Sequence, residues 1–232
     1  MSVAIISCGR SGSTMVWEIL RGNSYFLQRE SHKDDSTLCK SNKVYPHNYL
    51  TKCDVYYFTY KELKNTLINN TNMKVVWPLR DPRDMFLSKI RRGQPSAQGG
   101  DSSKLSADGT PETAFKNILN MRNYYEQTFN DFSDRLIPVK MEHIILDVNA
   151  ECNRICVELG ISFENNMLNF YKRYKNPHKI KRYSKGIDRS QLMMWKQWDK
   201  IYDGFFKDET YVLDYFDKLR STVEFFDYDE DM

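Results

Sequence analysis

The 232-residue sequence predicts an α/β domain in which a central parallel β-sheet carries helices on both faces. Short apolar runs alternate with segments of helical periodicity along the chain. A loop of glycine and hydroxyl residues, CGRSGST at 8–14, joins the first apolar run to the first helical pattern, and a charged motif, RDPRDMFLS at 80–88, follows a second apolar run. Strands connected through helices pair in parallel. Because 232 residues suffice for one large α/β domain and no clear linker interrupts them, we expect one domain covering residues 1–232.

The first half of the chain contains two strongly predicted strands. Residues 3–7 and 74–79 are apolar and rich in β-branched side chains, and Pro78 predicts that the second run ends or bulges there. Residues 22–54 give no clear pattern apart from a short strand near 37–40. Periodicity predicts helices at 11–20, starting at a hydroxyl N-cap, at 61–69 and at 84–91.

The second half contains a third strand, at residues 136–141. Residues 93–110 are rich in glycine and serine and too long for an ordinary connection, which predicts a lid or a disordered loop. Residues 176–189 form a basic loop, and residues 224–232 an acidic tail. Helices are predicted at 111–131, 149–159 (closed by Gly160), 165–174, 191–202 and 210–223.

Bulk composition narrows the possible partners. The net charge of +3 argues against broad nucleic-acid binding. No run approaches the ~20 apolar residues of a membrane span, and the first residues form a core strand rather than a signal peptide, so we expect a cytoplasmic protein. The five cysteines are scattered, with no CxxC. Cys152 and Cys156, four apart on a predicted helix, are expected to be buried free thiols rather than a metal or redox pair.

The loop at 8–14 has most of the features of a phosphate-binding loop. Backbone N–H groups, two hydroxyls and a helix N-terminus all favour an anion. The lysine that an ATP-binding loop carries before its Ser/Thr is missing, and the cation is Arg10 instead. These residues predict a phosphate-type ligand other than a nucleoside triphosphate with magnesium; the alternative is a tight turn that needs no ligand.

Two further segments carry cationic groups. Arg80 follows the strand at 74–79, and Ser88 comes eight residues later, so together they are suited to a second phosphate. The alternative is a surface helix start with an Asp81–Arg83 charge pair. KIKRYSKG, at 179–186, is the most basic stretch, and its alternative is a solvated loop. Jointly the three segments predict a ligand with two separated phosphate-like groups.

These motifs resemble those of the sulfotransferases that use 3'-phosphoadenosine 5'-phosphosulfate (PAPS). RSGST is similar to their 5'-phosphosulfate loop, and RDPRDMFLS to their 3'-phosphate motif, with Arg80 and Ser88 at the family's spacing. VKMEHIILD, at 139–147, resembles the strand end that carries an acidic residue, here Glu142, and YSKG, at 183–186, resembles the glycine motif that closes over the 3'-phosphate. The resemblance runs from residue 3 to about residue 202.

The resemblance implies a P-loop-like sulfotransferase fold and transfer of a sulfuryl group from PAPS to a hydroxyl or amine of a small-molecule or carbohydrate acceptor. It implies no metal, because protein cations stabilise the charge that develops on the leaving group. Lys40 is implied as a second cation beside Arg10. The implied contacts are Arg10, Ser11, Gly12, Ser13 and Thr14 for the 5' end, and Arg80, Ser88, Arg182, Lys185 and Gly186 for the 3'-phosphate.

Departures from the family pattern leave the general base open. CKSN, at 39–42, is similar to the family's KTH segment, but Asn42 stands where the family has its basic histidine and cannot take a proton. His47 is the first candidate, followed by His32 and Glu30; the alternative for His47 is an exposed turn residue. Met15 and Met141 also replace the family's tryptophan and tyrosine.

Two other functions stay open. One is a small-molecule or nucleoside kinase, and the missing lysine argues against it. The other is a non-catalytic nucleotide-binding relative, and Asn42 favours it.

Overall fold

A computed structural model describes residues 1–29, 38, 44–93, 110–174, 187, 189, 192–201 and 209–228. Its sheet has five strands in the order β2-β3-β1-β4-β5, and every pairing is parallel. The predicted fold class, an α/β domain with a central parallel sheet, is therefore confirmed. The strands are β1 (Ser2–Ser7), β2 (Gln28–Arg29), β3 (Tyr49–Asp54), β4 (Met73–Leu79) and β5 (Leu136–Lys140).

Helices connect and follow these strands. The α-helices in the described part of the chain are α1 (Ser13–Leu20), α2 (Tyr60–Asn69), α3 (Pro82–Gly93), α4 (Pro111–Phe132), α5 (Met141–Leu146), α6 (Val148–Leu159), α7 (Trp198–Ile201) and α8 (Glu209–Phe225). Short 3₁₀ segments occupy Val55–Tyr57, Ser133–Arg135, Asn165–Arg173 and Met194–Gln197. Gly160 closes α6 in the left-handed conformation (φ 68°), as predicted.

The chain packs into two compact units, each made of two stretches of sequence. The first comprises Met1–Leu79 and Tyr124–Arg189 and contains the whole sheet. The second comprises Arg80–Asn123 and Ser190–Met232. The chain passes from the first unit into the second directly after β4.

Helices cover both faces of the sheet in the first unit. Residues paired across parallel strands point to the same face, so the register groups Val3, Ile5, Leu50, Val76 and Ile137. These side chains share one buried core with α1, α5, α6 and the 165–173 segment. On the opposite face the buried Trp77 ring makes an edge contact, at 5.6 Å between centroids, with Tyr125 of α4.

The second unit has a small aromatic core. Leu87 of α3 and Val212 of α8 are fully buried, and tryptophan side chains from the 194–201 segment pack around them. Phe86 of α3 stacks on Tyr215 of α8 at 4.8 Å between centroids. This packing fixes α3, the helix that carries the RDPRDMFLS motif, against α8.

The structure corrects several sequence predictions. β3 was not predicted, because Lys52 and Asp54 interrupt its apolar pattern although both lie in a strand. Pro78 does not end β4; the ladder with β1 extends only to Val76, and Pro78 pairs with Val139 on the other side. The predicted helix at 165–174 is a 3₁₀ segment with non-helical angles at Asn169.

Two predicted boundaries also change. The acidic tail was predicted from residue 224, but α8 continues to Phe225, and Phe226 and Tyr228 are buried by apolar packing. The predicted helix at 191–202 is a 3₁₀ turn followed by the short α7 within its described part. The lid predicted at 93–110 and the strand predicted near 37–40 fall largely outside the described residues.

Cys152 and Cys156 are buried free thiols on α6, as predicted. Burial raises the pKa of Cys152 to about 12 and that of Cys156 to about 11, so both thiols stay protonated near neutral pH. Among the described helices, none is both long and apolar enough to cross a membrane.

Candidate anion-binding site

The loop after β1 has the backbone geometry of an anion-binding nest. Arg10 (φ 78°) and Gly12 (φ 93°) both adopt left-handed conformations on either side of Ser11. Such a conformation costs a non-glycine residue about 1–3 kcal/mol, and it is therefore concentrated at functional loops. Alternating conformations of this kind turn successive N–H groups toward one point.

The first turn of α1 leaves donors available. The helix begins at Ser13 with Gly12 as its N-cap, and no described side chain caps it, so the predicted hydroxyl cap is wrong. The Gly12 carbonyl accepts from the N–H groups of Met15 and Val16, at 2.8 and 3.2 Å. Within the described residues, the N–H groups of Ser13 and Thr14 have no backbone acceptor. An uncapped helix start of this type favours an anion.

Ser11 adds a buried polar group to the loop. Its side chain is fully buried, yet its Oγ has no hydrogen-bond partner among the described residues. Its own N–H donates to the Cys8 carbonyl at 3.1 Å, which closes the turn. A buried hydroxyl without a partner costs about 1–3 kcal/mol, so a ligand that hydrogen-bonds to Ser11 would offset that cost.

The loop lies directly against the start of α5. A β-carbon at Gly12 would overlap the Met141 side chain, with Sδ, Cγ and Cε all closer than van der Waals contact allows. Glycine is therefore favoured at position 12 by its positive φ and by this close approach. Met141 is buried and belongs to the core that α1 and α5 share.

The end of β3 contacts the start of the same loop. The Ser7 hydroxyl donates a short hydrogen bond to Oδ1 of Asp54, its register partner. Two residues later, the Tyr56 hydroxyl accepts the Gly9 N–H at 3.0 Å and lies 3.0 Å from Cys8 Sγ. Asp54 is half-buried, and Tyr56 is 38% exposed. A carboxylate and a phenol thus flank the loop from the neighbouring strand.

In the second unit, Arg80 is held by the first turn of α3. Its Nη2 lies 3.3 Å from Oδ2 of Asp84, and the other carboxylate oxygen of Asp84 accepts the Trp195 N–H at 2.8 Å. The Arg80 side chain is 15% exposed and Asp84 only 1%. Ser88 is half-buried on α3, about one turn beyond Asp84. The Asp84 carboxylate therefore orients the guanidinium without removing it from the surface.

Arg83 has a structural role beside Arg80. It makes a bidentate ion pair with Asp81, at 3.1 and 2.8 Å, and its guanidinium carbon stacks 3.3 Å from the Trp195 ring centroid. The Asp81–Arg83 pairing that was the alternative interpretation of this motif is thus present, and it occupies Arg83 rather than Arg80.

Structures of known proteins share this architecture. The sulfotransferase domain from the curacin biosynthetic pathway matches with a TM-score of 0.63 and 15% identity, covering 84% of this chain and 90% of that one. The sulfotransferase domain of the Synechococcus PCC 7002 olefin synthase matches with a TM-score of 0.57 and 15% identity, over 84% and 86%. The chain has the sulfotransferase fold.

A third match with the sulfotransferase fold was solved with a ligand. Mouse sulfotransferase SULT7A1 complexed with PAP matches with a TM-score of 0.50 and 15% identity, over 78% of this chain and 66% of that one. No protein-family model and no curated protein sequence matches the chain. The resemblance predicted from the motifs is thus confirmed at the level of the sulfotransferase fold.

On this fold His47 lies at the wrong edge of the sheet to be the base. It is exposed in the turn before β3, and its Nδ1 lies 2.9 Å from the Met1 nitrogen, beside the start of β1. The loop at Arg10–Thr14 follows the end of β1. At about 3.3 Å per residue, β1 separates the two by roughly 20 Å. The prediction of His47 as the base is therefore wrong, and the exposed turn residue is the correct interpretation.

Arg10, Ser11 and Gly12 lie in the loop before α1, and Ser13 and Thr14 form its first turn. Arg80 lies two residues before α3, and Ser88 lies within α3. Within the described residues, no group of three or more His, Cys, Asp or Glu side chains is arranged to hold a metal ion. The remaining predicted site residues lie outside the described part: Glu30, His32, Lys40, Asn42, Arg182, Lys185 and Gly186.

Sequence reasoning missed Asp54 and Tyr56. Asp54 ends β3 and Tyr56 comes two residues later, but β3 was not predicted. The strands that neighbour β1 also cannot be derived without the order of strands in the sheet. The available signal was the segment YLTKCDVYY, where Leu50, Thr51, Cys53 and Val55 favour a strand despite two charged residues.

Proposed function

We propose that this protein is a sulfotransferase that uses PAPS as its sulfuryl donor and a hydroxyl or amine of a small-molecule or carbohydrate acceptor. The observation that carries the proposal is the loop at Arg10–Thr14: a nest of N–H groups at an uncapped helix start, with the buried Ser11 hydroxyl lacking a partner among the described residues. These groups fit the sulfated end of the donor, because all of them donate to an anion.

The residues of the loop are proposed to bind the 5'-phosphosulfate of the donor and to stabilise its charge. The N–H groups of Ser13 and Thr14, with the hydroxyls of Ser11, Ser13 and Thr14, would hold the 5'-phosphosulfate, and Arg10 contributes the exposed cation. When bound, PAPS supplies the sulfuryl group. The loop would stabilise the charge that grows on the 5'-phosphate side, because its donors are fixed before the reaction. Lys40 is proposed as a second cation on the strength of the motif alone.

The 3'-phosphate is proposed to bind Arg80 and Ser88. Arg80 is pre-oriented by Asp84, so fewer side-chain rotamers are lost when it binds an anion. Each charge-assisted bond contributes about 1.5–3 kcal/mol. The sequence motif adds Arg182, Lys185 and Gly186 to the same group.

Ligand-dependent stabilisation tests the proposal. Adenosine 3',5'-bisphosphate at 100 times its dissociation constant is expected to stabilise the protein by about 2.7 kcal/mol, which thermal unfolding detects as a rise in Tm. ATP with magnesium serves as the comparison ligand and is expected to give a smaller shift. Stabilisation by ATP with magnesium alone would favour the kinase alternative and would overturn the proposal.

The assigned role of Arg80 makes a sharper prediction. Arg80→Ala is expected to raise the dissociation constant for the bisphosphate by about 10- to 100-fold, because one charge-assisted contact is lost. The dissociation constant of Arg80→Lys should lie between those of the unsubstituted protein and Arg80→Ala, since lysine keeps the charge but lacks the planar guanidinium. Isothermal titration calorimetry measures the dissociation constant of all three proteins.

The matched control is Arg220→Ala in the same unit. Arg220 and its partner Asp217 are 67% and 72% exposed, so removing this pair should leave binding within twofold. Arg80→Ala keeps the hydrogen bond between Asp84 and the Trp195 N–H, so we expect it to fold. Its urea unfolding curve checks that a loss of binding is not a loss of folding. An unchanged dissociation constant in folded Arg80→Ala would contradict the assigned role.

Turnover distinguishes an enzyme from a non-catalytic relative. Sulfur-labelled PAPS is incubated with a pool of phenols, sugars and amines, and labelled products are identified by mass spectrometry. A protein that binds the bisphosphate yet transfers no label to any acceptor, water included, would be the non-catalytic relative.

A further inference from the structure

Sulfuryl transfer to a hydroxyl releases a proton, so a proton acceptor beside the loop accelerates the reaction. His47 lies at the amino edge of the sheet, and the loop follows the carboxyl edge. Among the described residues of the first unit, those at the carboxyl ends of the strands that neighbour β1 lie closest to the loop. β3 and β4 are those neighbours.

Asp54 is the last residue of β3 and lies in register with Ser7, the last residue of β1. The Ser7 hydroxyl is fully buried and donates to Oδ1 of Asp54, so it fixes the orientation of the carboxylate. Cys8, which follows Ser7, begins the loop. The carboxylate is half-buried, which lets an acceptor reach it while part of the water is excluded.

The Tyr56 contact ties this strand end to the loop. Its hydroxyl accepts the Gly9 N–H at 3.0 Å, one residue before Arg10. The end of β3 is thus joined to the loop start at two points, Ser7–Asp54 and Gly9–Tyr56. Asp54 therefore has a fixed position relative to the loop.

Among the described residues, the other titratable groups at this edge of the first unit are less well placed. Glu142 and His143 belong to α5, which follows β5, and β4 lies between β5 and β1. The His143 ring is 54% exposed, with Nδ1 3.9 Å from Glu151. The Tyr56 hydroxyl already accepts the Gly9 N–H.

We propose that Asp54 is the general base of the reaction and that Ser7 is its positioning residue; this inference rests on the proposed sulfotransferase function. The acceptor O–H proton moves to Asp54, and the acceptor oxygen forms the new O–S bond. The S–O bond to the 5'-phosphate breaks, and its electron pair leaves with adenosine 3',5'-bisphosphate. Asp54 then loses the proton to water, so atoms and charges balance.

Asp54→Asn tests the proposal in the full-length chain. Asparagine keeps an oxygen for the Ser7 hydroxyl but cannot take a proton. With water as acceptor, release of the bisphosphate from PAPS is expected to slow by about 10²–10⁴-fold, because the amide cannot accept the proton. The rise in Tm with the bisphosphate should equal that of the unsubstituted protein, because donor binding does not involve Asp54.

Chemical rescue separates a base from a merely structural carboxylate. Formate should restore part of the rate to Asp54→Ala and none to Asp54→Asn, in which the amide fills the space. Asp134→Asn is the matched control, since Asp134 lies in the 133–135 segment before β5, at the amino edge. The rate of bisphosphate release by this control variant should be unchanged.

Three results would overturn the proposal. The first is a rate for Asp54→Asn within threefold of the unsubstituted protein. The second is loss of the bisphosphate-dependent Tm rise in that variant, which would make Asp54 a structural or binding residue. The third is a loss of rate of about 10²–10⁴-fold in Glu142→Gln, which would assign the base to Glu142 instead. Failure of the proposed function looks different: the unsubstituted protein would show neither the Tm rise nor bisphosphate release.

Discussion

Gly12→Ala is expected to destabilise the protein by about 2–5 kcal/mol and to abolish the Tm rise with adenosine 3',5'-bisphosphate. Two costs add. A β-carbon at φ 93° costs about 1–2 kcal/mol, and overlap with the Met141 side chain costs about 1–3 kcal/mol more. Because Met141 is buried, we expect part of the overlap to be relieved by a shift of the loop, which turns the N–H groups of Ser13 and Thr14 away from their common point and abolishes binding. Urea unfolding and calorimetry measure the two effects.

Gly160 provides a matched control for backbone strain. It also has a positive φ, 68°, but a β-carbon there meets nothing within 4 Å. Gly160→Ala should therefore cost only about 1 kcal/mol and should leave bisphosphate binding unchanged. The difference between the two alanine variants isolates the contact with Met141.

A double variant tests that contact directly. Met141→Ala alone should cost about 2–5 kcal/mol through its cavity. In Gly12→Ala with Met141→Ala, the new methyl group occupies part of that cavity, so the double variant should be more stable than the sum of the singles by about 1–3 kcal/mol. Additive costs would contradict a direct overlap.

Arg173→Ala is expected to destabilise the protein by about 3 kcal/mol. Arg173 joins the 165–173 segment to α1: its Nε donates to the Glu18 carbonyl at 3.0 Å and lies 3.8 Å from Glu18 Oε2, and Nη1 donates to the Asn166 carbonyl at 2.9 Å. Glu18 is 3% exposed. Removal of one partner of a buried pair costs about 3–5 kcal/mol. The lower figure is expected because Arg21 Nη1 stays 3.4 Å from Glu18 Oε1.

A second substitution identifies the source of that loss. Glu18→Gln in the Arg173→Ala background removes the buried charge and should recover at least 1 kcal/mol of the free energy of unfolding. Arg220→Ala, which breaks an exposed pair, should change it by less than about 0.5 kcal/mol. Equal losses in Arg173→Ala and Arg220→Ala, measured by urea unfolding, would show that burial of Glu18 is irrelevant.

Much of the fold could be predicted because its signals are local. β1 and β4 are continuous apolar runs, and Gly160 marks a helix end through its own φ preference. β3 was missed because Lys52 and Asp54 break the apolar pattern, even though Lys52 is 6% exposed in the structure. A buried lysine in a strand is decided by its neighbours in space, and these are not visible in a window of sequence.

In the candidate site, too, some residues could be predicted from local sequence and others could not. Arg10–Thr14 and the Arg80–Ser88 spacing could be recognised because consecutive residues and a single helix carry their chemistry. The base could not, since its position depends on which strand lies beside β1. Sequence proximity favoured His47, yet the strand that follows His47 runs parallel to β1 and carries the chain to the opposite edge.

The sequence by itself determined β1, β4 and β5, the glycine loop and the spacing of the cationic motifs, because each depends on contacts within a few residues. The tertiary structure alone decided that β3 lies between β2 and β1, that Ser7 meets Asp54, and that Met141 packs on Gly12. These contacts join residues 21 or more positions apart. Strand order and the burial of apolar faces fix them, and both are properties of the whole fold.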